Sequence, residues 1–264
     1  MSNTPDRISR SSRLGWVRLD EMKINPQAQR DFEQRWAEEL LGKFDPDKMA
    51  FIHVNHRDGW FYVMDGQHTR WAAMHWLGSD QQVQCLIYDG LTVEEEAEMY
   101  LSLNEKKPQK PVGKFKVHLT AGHTLQTDID RIARLLDLRV GANANLGEIT
   151  CVATLETVYK KCGPGSLRAV LEIIRDTYGR EGFKTPIIKG LALAIDRYGN
   201  MLDADQLTAR LKTAGLTDLH RRGRALKDGT GSAMDQCYAC AAVEFYNRGK
   251  GKKVNPWWKF QDVA

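Results

Sequence analysis

The chain lacks the marks of several large protein classes. Its five cysteines, Cys85, Cys151, Cys162, Cys237 and Cys240, are odd in number and follow no framework spacing, which argues against a disulfide scaffold. No stretch approaches the ~20 apolar residues of a membrane span. The opening MSNTPDRISRSSR is polar and basic without an apolar core, so it is not a secretory signal. A cytoplasmic location is expected. There is no internal repeat, and no compact carboxylate cluster of the kind a two-metal nuclease uses. No metal site is expected. Cys237 and Cys240 form a CxxC in a helical stretch without the two further ligands that zinc needs, and core positions are expected for both. His53 and His56 fall on opposite faces of one strand.

What is present is a chain of 264 residues, 42% hydrophobic and 27% charged, an ordinary globular composition for one large or two small domains. The net charge of +4 fits many enzymes and says little about partners. Its distribution says more. Residues 104–116 hold five lysines and one acid, residues 210–227 six cations and one acid, and residues 248–259 five cations and no acid. Clusters of this kind are a candidate phosphate footprint, against the plainer reading of a solvated surface. Lys106, Lys107, Lys110 and Lys114 belong to the first cluster, Arg221, Arg222 and Arg224 to the second, and Lys252 and Lys253 to the third. The pair Trp257-Trp258 could stack on single-stranded bases, though docking on its own domain is the plainer expectation.

The hydrophobic pattern predicts an α+β chain: an N-terminal α/β domain over 14–110 after a disordered 1–13, a mostly α-helical domain over 111–247, and a basic aromatic tail over 248–264. Strands are expected at 16–19, 51–54, 60–64 and 82–88, with Asp58-Gly59 turning a hairpin. A helix is expected over 30–43, capped by Asp31 and stopped by Gly42, and a second over 67–77, ended by Gly78. Thr92 and Glu95 form a capping box for a helix running to Asn104. A lysine- and proline-rich connector follows over 105–113, and His118 and His123 are expected in loops. Helical periods then recur at 128–138, 149–161, after a Ser166 cap to Gly179, and at 186–198, 203–214 and 232–247.

One junction carries chemistry. A strand ends at Asp65-Gly66 and passes at once into a helix beginning Gln67-His68-Thr69-Arg70. The first helical N–H groups have no intrahelical partners and lie at the positive end of the helix dipole. With Gly66 removing a side chain from the approach, they make a cradle for phosphate. His68 and Arg70 could add contacts, and Asp65 could hold a metal or accept a proton. The plainer reading is a turn stabilised by an aspartate. His75, seven residues after His68, would share its helical face as a packing residue.

The stretch VMDGQHTRWAAMHWLG resembles the nucleotide-binding motif of the ParB/sulfiredoxin-like superfamily, in particular its Asp-Gly-Gln-His-Arg branch. Asn25-Pro26 with Gln29-Arg30 is similar to the lead-in segment of those domains, and EEEAEMYLSLNEKKPQKPVGKFK to a phage and actinobacterial ParB-like set. The resemblance implies a ParB/sulfiredoxin-like N-terminal domain and a phosphate at this turn, contacted by Gly66, Gln67, His68, Thr69, Arg70, Asn104, Lys106 and Lys107. It implies a nucleoside triphosphate with Mg2+ as cofactor, with DNA, a nucleotide and a second copy as partners, and no membrane. DNA contacts would fall to Lys110, Lys114, Arg221, Arg222, Arg224, Lys252 and Lys253. Thr69 stands where the branch has arginine, with Arg70 one place later, a turn of about 100° along a helix. Sulfiredoxin chemistry needs a cysteine in the motif, and residues 65–70 contain none. Two other functions stay open: a kinase-like phosphotransferase or nuclease using Asp65 and His68 as catalytic residues, and a non-catalytic interaction protein on the same fold.

Overall fold

The computed structural model describes residues 11–105 and 110–256. Lys106, Lys107 and Trp257-Trp258 therefore lie outside the described residues. The chain is α+β, and its contacts divide it after His123 into two compact units.

The first unit is built on a five-stranded mixed sheet. Its elements are β1 (Ser12–Arg18), β2 (Met22–Ile24), α1 (Gln34–Leu41), β3 (Ile52–Arg57), β4 (Trp60–Asp65), α2 (Gln67–Leu77), β5 (Gln82–Asp89), α3 (Val93–Leu103) and α4 (Pro111–Thr120). The strand order is β1-β5-β3-β4-β2. β1–β5 and β3–β4 pair antiparallel, and β3–β5 and β2–β4 pair parallel. Alternation along β5 sends Val83, Cys85 and Ile87 to one face, where they join Val17, Ile52, Val54, Val63 and Ala73 of α2 in the main core. Met64 and Tyr88 pack on a separate cluster with Leu91. The hairpin between β3 and β4 turns on Asp58 and Gly59, both at positive φ (53° and 75°), as a two-residue turn matched to strand twist demands.

Several expectations are corrected. Ser12 and Arg13, expected outside the fold, open β1 opposite Tyr88 and Ile87. The first helix is shorter than 30–43, and its N-cap is Glu33 rather than Asp31; the Asp31 carboxylate instead accepts from Lys116 Nζ at 3.3 Å. The connector ends sooner than expected because Pro111 opens α4, a first-turn position where a missing N–H costs nothing. His118 is therefore helical. His75 is exposed and lies against Trp71, not in the core.

Among its described residues the second unit is helical apart from one pair of two-residue parallel strands, which no periodicity signals. Its elements are α5 (Thr124–Leu135), β6 (Arg139–Val140), β7 (Glu148–Ile149), α6 (Val152–Tyr178), α7 (Thr185–Tyr198), α8 (Ala204–Thr230) and α9 (Met234–Tyr246). α6 joins two expected helices across a kink at Gly163, followed by Pro164. α8 runs on past the expected end through a kink at Gly215, which puts the basic run on a helix. Cys237 and Cys240 of α9 are buried free thiols. α7 and α9 meet closely at Gly190, where an added Cβ would lie 2.6 Å from Tyr238 Cβ. Among the described residues no helix is long and apolar enough to cross a membrane.

Candidate functional site

β4 delivers the chain to Asp65, and Gly66 turns it with φ 98° and ψ 22°, a left-handed conformation that glycine adopts without Cβ strain. α2 begins immediately. Arg70 N–H donates to Gly66 O at 2.7 Å, so the N–H groups of Gln67, His68 and Thr69 precede the helical ladder. The three residues line a cavity of about 480 Å³. Gln29 and Arg30 before α1, Trp36 and Leu40 on α1, Lys43, Phe51, residues 65–69, Tyr100 of α3 and its C-cap Asn104 line it.

Buried polar bonds hold the walls in place. Gln29 is 1% exposed, and its amide donates to Val63 O of β4. α3 is tied down by Glu96, 1% exposed. Its carboxylate accepts from Asn25 Nδ2 (3.0 Å), Asn55 Nδ2 (2.8 Å) and Arg57 Nε (2.7 Å). The Glu96 hydrogen bond raises the Arg57 guanidinium above its ordinary value. The reciprocal capping box of Thr92 and Glu95 starts the same helix and contributes about 1 kcal/mol. Tyr100 sits about one turn beyond Glu96 and so reaches the cavity.

Two polar atoms in the cavity lining are orphans. Gln67 is 6% and Tyr100 3% exposed. Gln67 Nε2 donates to Arg30 O at 3.4 Å, while Gln67 Oε1 and Tyr100 OH have no hydrogen-bond partner among the described residues. Each such buried group costs about 1–3 kcal/mol. Burial, aided by Asp65 and opposed by Arg30, raises the Tyr100 phenol, which keeps it a neutral hydroxyl. Asn104 Nδ2 bridges Asp65 Oδ1 (3.4 Å) and Tyr100 O (3.0 Å).

His68 has a different surrounding from the one expected of an acid/base. Its Nε2 accepts the Glu33 N–H at 3.2 Å, and its ring stacks on Phe32 at 4.9 Å and against Trp36 at 5.1 Å. Burial first, then the Arg30 charge, lowers its pKa. As acceptor of the Glu33 N–H the ring is neutral, with Nε2 engaged by the start of α1. Arg70 turns from the cavity; its Nε donates to Leu19 O at 3.2 Å, and it is not among the lining residues. Thr69, in the motif arginine's place, does line the cavity.

Of the expected nucleic-acid contacts, most meet carboxylates. Lys110 lies 3.4 Å from Glu33, Arg221 2.9 Å from Asp218 and Lys252 3.1 Å from Asp203. Arg222 donates through Nε and Nη2 to both oxygens of Glu244 (2.6 and 2.8 Å). Arg221, Arg224 and Lys253 are exposed. Lys114 lines a separate cavity with Glu98, Asn104 and His118, beside the hydrogen-bonded pair His118 and His123. No group of three His, Cys, Asp or Glu able to hold a metal occurs among the described residues. Sequence reasoning missed Lys43, Phe51 and Tyr100. Arg30 was visible only as part of the lead-in segment beside Asn25-Pro26.

No curated protein matches the chain in sequence. Among solved structures, the C-terminally truncated chromosome-partitioning protein ParB from Caulobacter crescentus, complexed with CTP-gamma-S, is similar over 89% of this chain and 98% of its own, at 15% identity and a TM-score of 0.30. So slight a likeness assigns neither ligand nor mechanism. A family model does match, over residues 25–257, and the chain belongs to that family, described as a family of unknown function (DUF6551).

Proposed function

We propose that the first unit binds a nucleotide, with a phosphate group against the N–H groups of Gln67, His68 and Thr69. The observation that carries this reading is the left-handed Gly66, which turns the unbonded start of α2 onto a cavity that also holds Arg30 and Lys43. Backbone donors, the helix dipole and two cations all favour an anion there. The exposed rings of Trp36 and Phe51 at the cavity suit a flat base, and about 480 Å³ is ample for a nucleotide. Asp65 is the one carboxylate among the described lining residues. With Asn104 beside it, it fits the one or two protein oxygens that Mg2+ takes when substrate phosphates supply the rest.

Thermal unfolding of the full chain with CTP, ATP, GTP, UTP or tripolyphosphate, with and without Mg2+, tests the reading. A ligand at a hundred times its dissociation constant adds about 2.7 kcal/mol, a clear rise in Tm. No rise with any of them at millimolar concentration rejects it and leaves a non-catalytic interaction protein.

Phosphotransfer at the same site is the second reading, favoured by Asp65 at the cradle. Here Asp65 would accept the proton of a substrate hydroxyl. In this reading Asp65 is the base, and His68 keeps its place as acceptor of the Glu33 N–H. Asp65→Asn should abolish turnover and spare phosphate binding; turnover that survives the change removes the role. DNA binding is proposed for the exposed Arg221 and Arg224 of α8 and for Lys253, while Arg222 serves to hold α8 to α9. Loss of affinity between 50 and 200 mM salt, as counterion release requires, and weakening by Arg224→Ala would support it; no DNA binding at low salt would reject it.

A further inference from the structure

We infer that Gln67 and Tyr100 read a sugar hydroxyl, so that the nucleotide taken at this cavity is a ribonucleotide rather than a deoxyribonucleotide. The inference rests on the nucleotide reading above and deepens it.

Gln67 Oε1 and Tyr100 OH are more than nine-tenths buried, line the cavity and lack partners among the described residues. The Gln67 amide is oriented by its bond to Arg30 O, so the atom left over is the carbonyl oxygen, an acceptor only. A phosphate oxygen is also an acceptor and cannot satisfy it. Tyr100 OH both donates and accepts. An alcohol can donate to the first and bond the second in either sense.

Position narrows the choice further. Gln67 is the first residue of α2, and its own N–H belongs to the phosphate cradle. Its side chain therefore meets what lies next to the phosphate. In a 5′-nucleotide that is the sugar, with the base one step further, towards the exposed rings of Trp36 and Phe51. A site built around a hydroxyl rejects the analogue without it, because its buried polar atoms are then left unpaired.

The test is calorimetric titration of the full chain with the four ribonucleoside triphosphates, their 2′-deoxy and 3′-deoxy counterparts, and tripolyphosphate. The expected result is that at least one deoxy series binds weaker by on the order of tenfold or more. Tyr100→Phe and Gln67→Met should bring the ribo-to-deoxy ratio towards one. The analogue arm needs no substitution, so it stands whether or not either variant folds. Equal binding of ribo- and deoxynucleotides overturns the inference and leaves the nucleotide reading in place, as does a preference that survives both substitutions. Failure of every nucleotide and of tripolyphosphate to bind overturns both.

Discussion

The imidazole of His68 receives the backbone N–H of Glu33 on its Nε2 atom, 3.2 Å away, and so joins the first turn of α2 to the first turn of α1. As an acceptor in this contact, Nε2 carries no proton, so the neutral ring is the form the fold uses.

A pH dependence follows. Burial and Arg30 hold the folded pKa of His68 below its ordinary value of 6.5, so the unfolded chain binds a proton more readily than the folded one. The stability this gives is fully present above about pH 6.5 and is lost as pH falls towards the folded pKa. His220, also lowered by burial, acts in the same direction, so the informative quantity is a difference. The urea midpoint should fall between pH 7.5 and 5.5, and His68→Gln should fall less over that range. Equal slopes for the two proteins would contradict the assignment.

Glu96 should be the most sensitive polar position in the first unit. Its carboxylate holds Asn25, Asn55 and Arg57 while 1% exposed. Removing one member of a buried pair costs about 3–5 kcal/mol, so Glu96→Ala should lose about that much in chemical denaturation. A loss below about 1 kcal/mol, the range of exposed pairs, would mean that the network does not hold α3.

Gly66→Ala tests the turn. At φ 98° a side chain costs about 1–2 kcal/mol, and the new Cβ would lie 3.4 Å from Ile52 Cγ1. Denaturation should show that loss, and calorimetric titration should show nucleotide binding reduced by more than the stability change alone accounts for. Unchanged stability and unchanged affinity together would remove the special role of this glycine.

Features whose determinants are close in sequence were legible before any coordinates. Asp58-Gly59, the Thr92–Glu95 box and the bounds of α2 each depend on neighbours within one turn. The cavity was not legible, because it is assembled across the chain. Tyr100 and Gln67 stand on different helices, and α3 is held by Glu96 meeting Asn55 and Arg57. The side chain of Arg70 is turned away by the Leu19 carbonyl, 51 residues earlier, which no local period reports. α4 was hidden by its composition, since lysines and a proline at its start resemble a linker. α8 was cut short at Gly215, where a non-helical glycine (φ 79°) interrupts the backbone without ending the helix.

The most direct measurement is an amide NMR titration of the isotopically labelled full chain with a nucleoside triphosphate and, separately, with tripolyphosphate. If the start of α2 holds the phosphate, the amide signals of Gln67, His68 and Thr69 move most with both ligands. Signals from these three that stay in place while amides elsewhere shift would contradict the account.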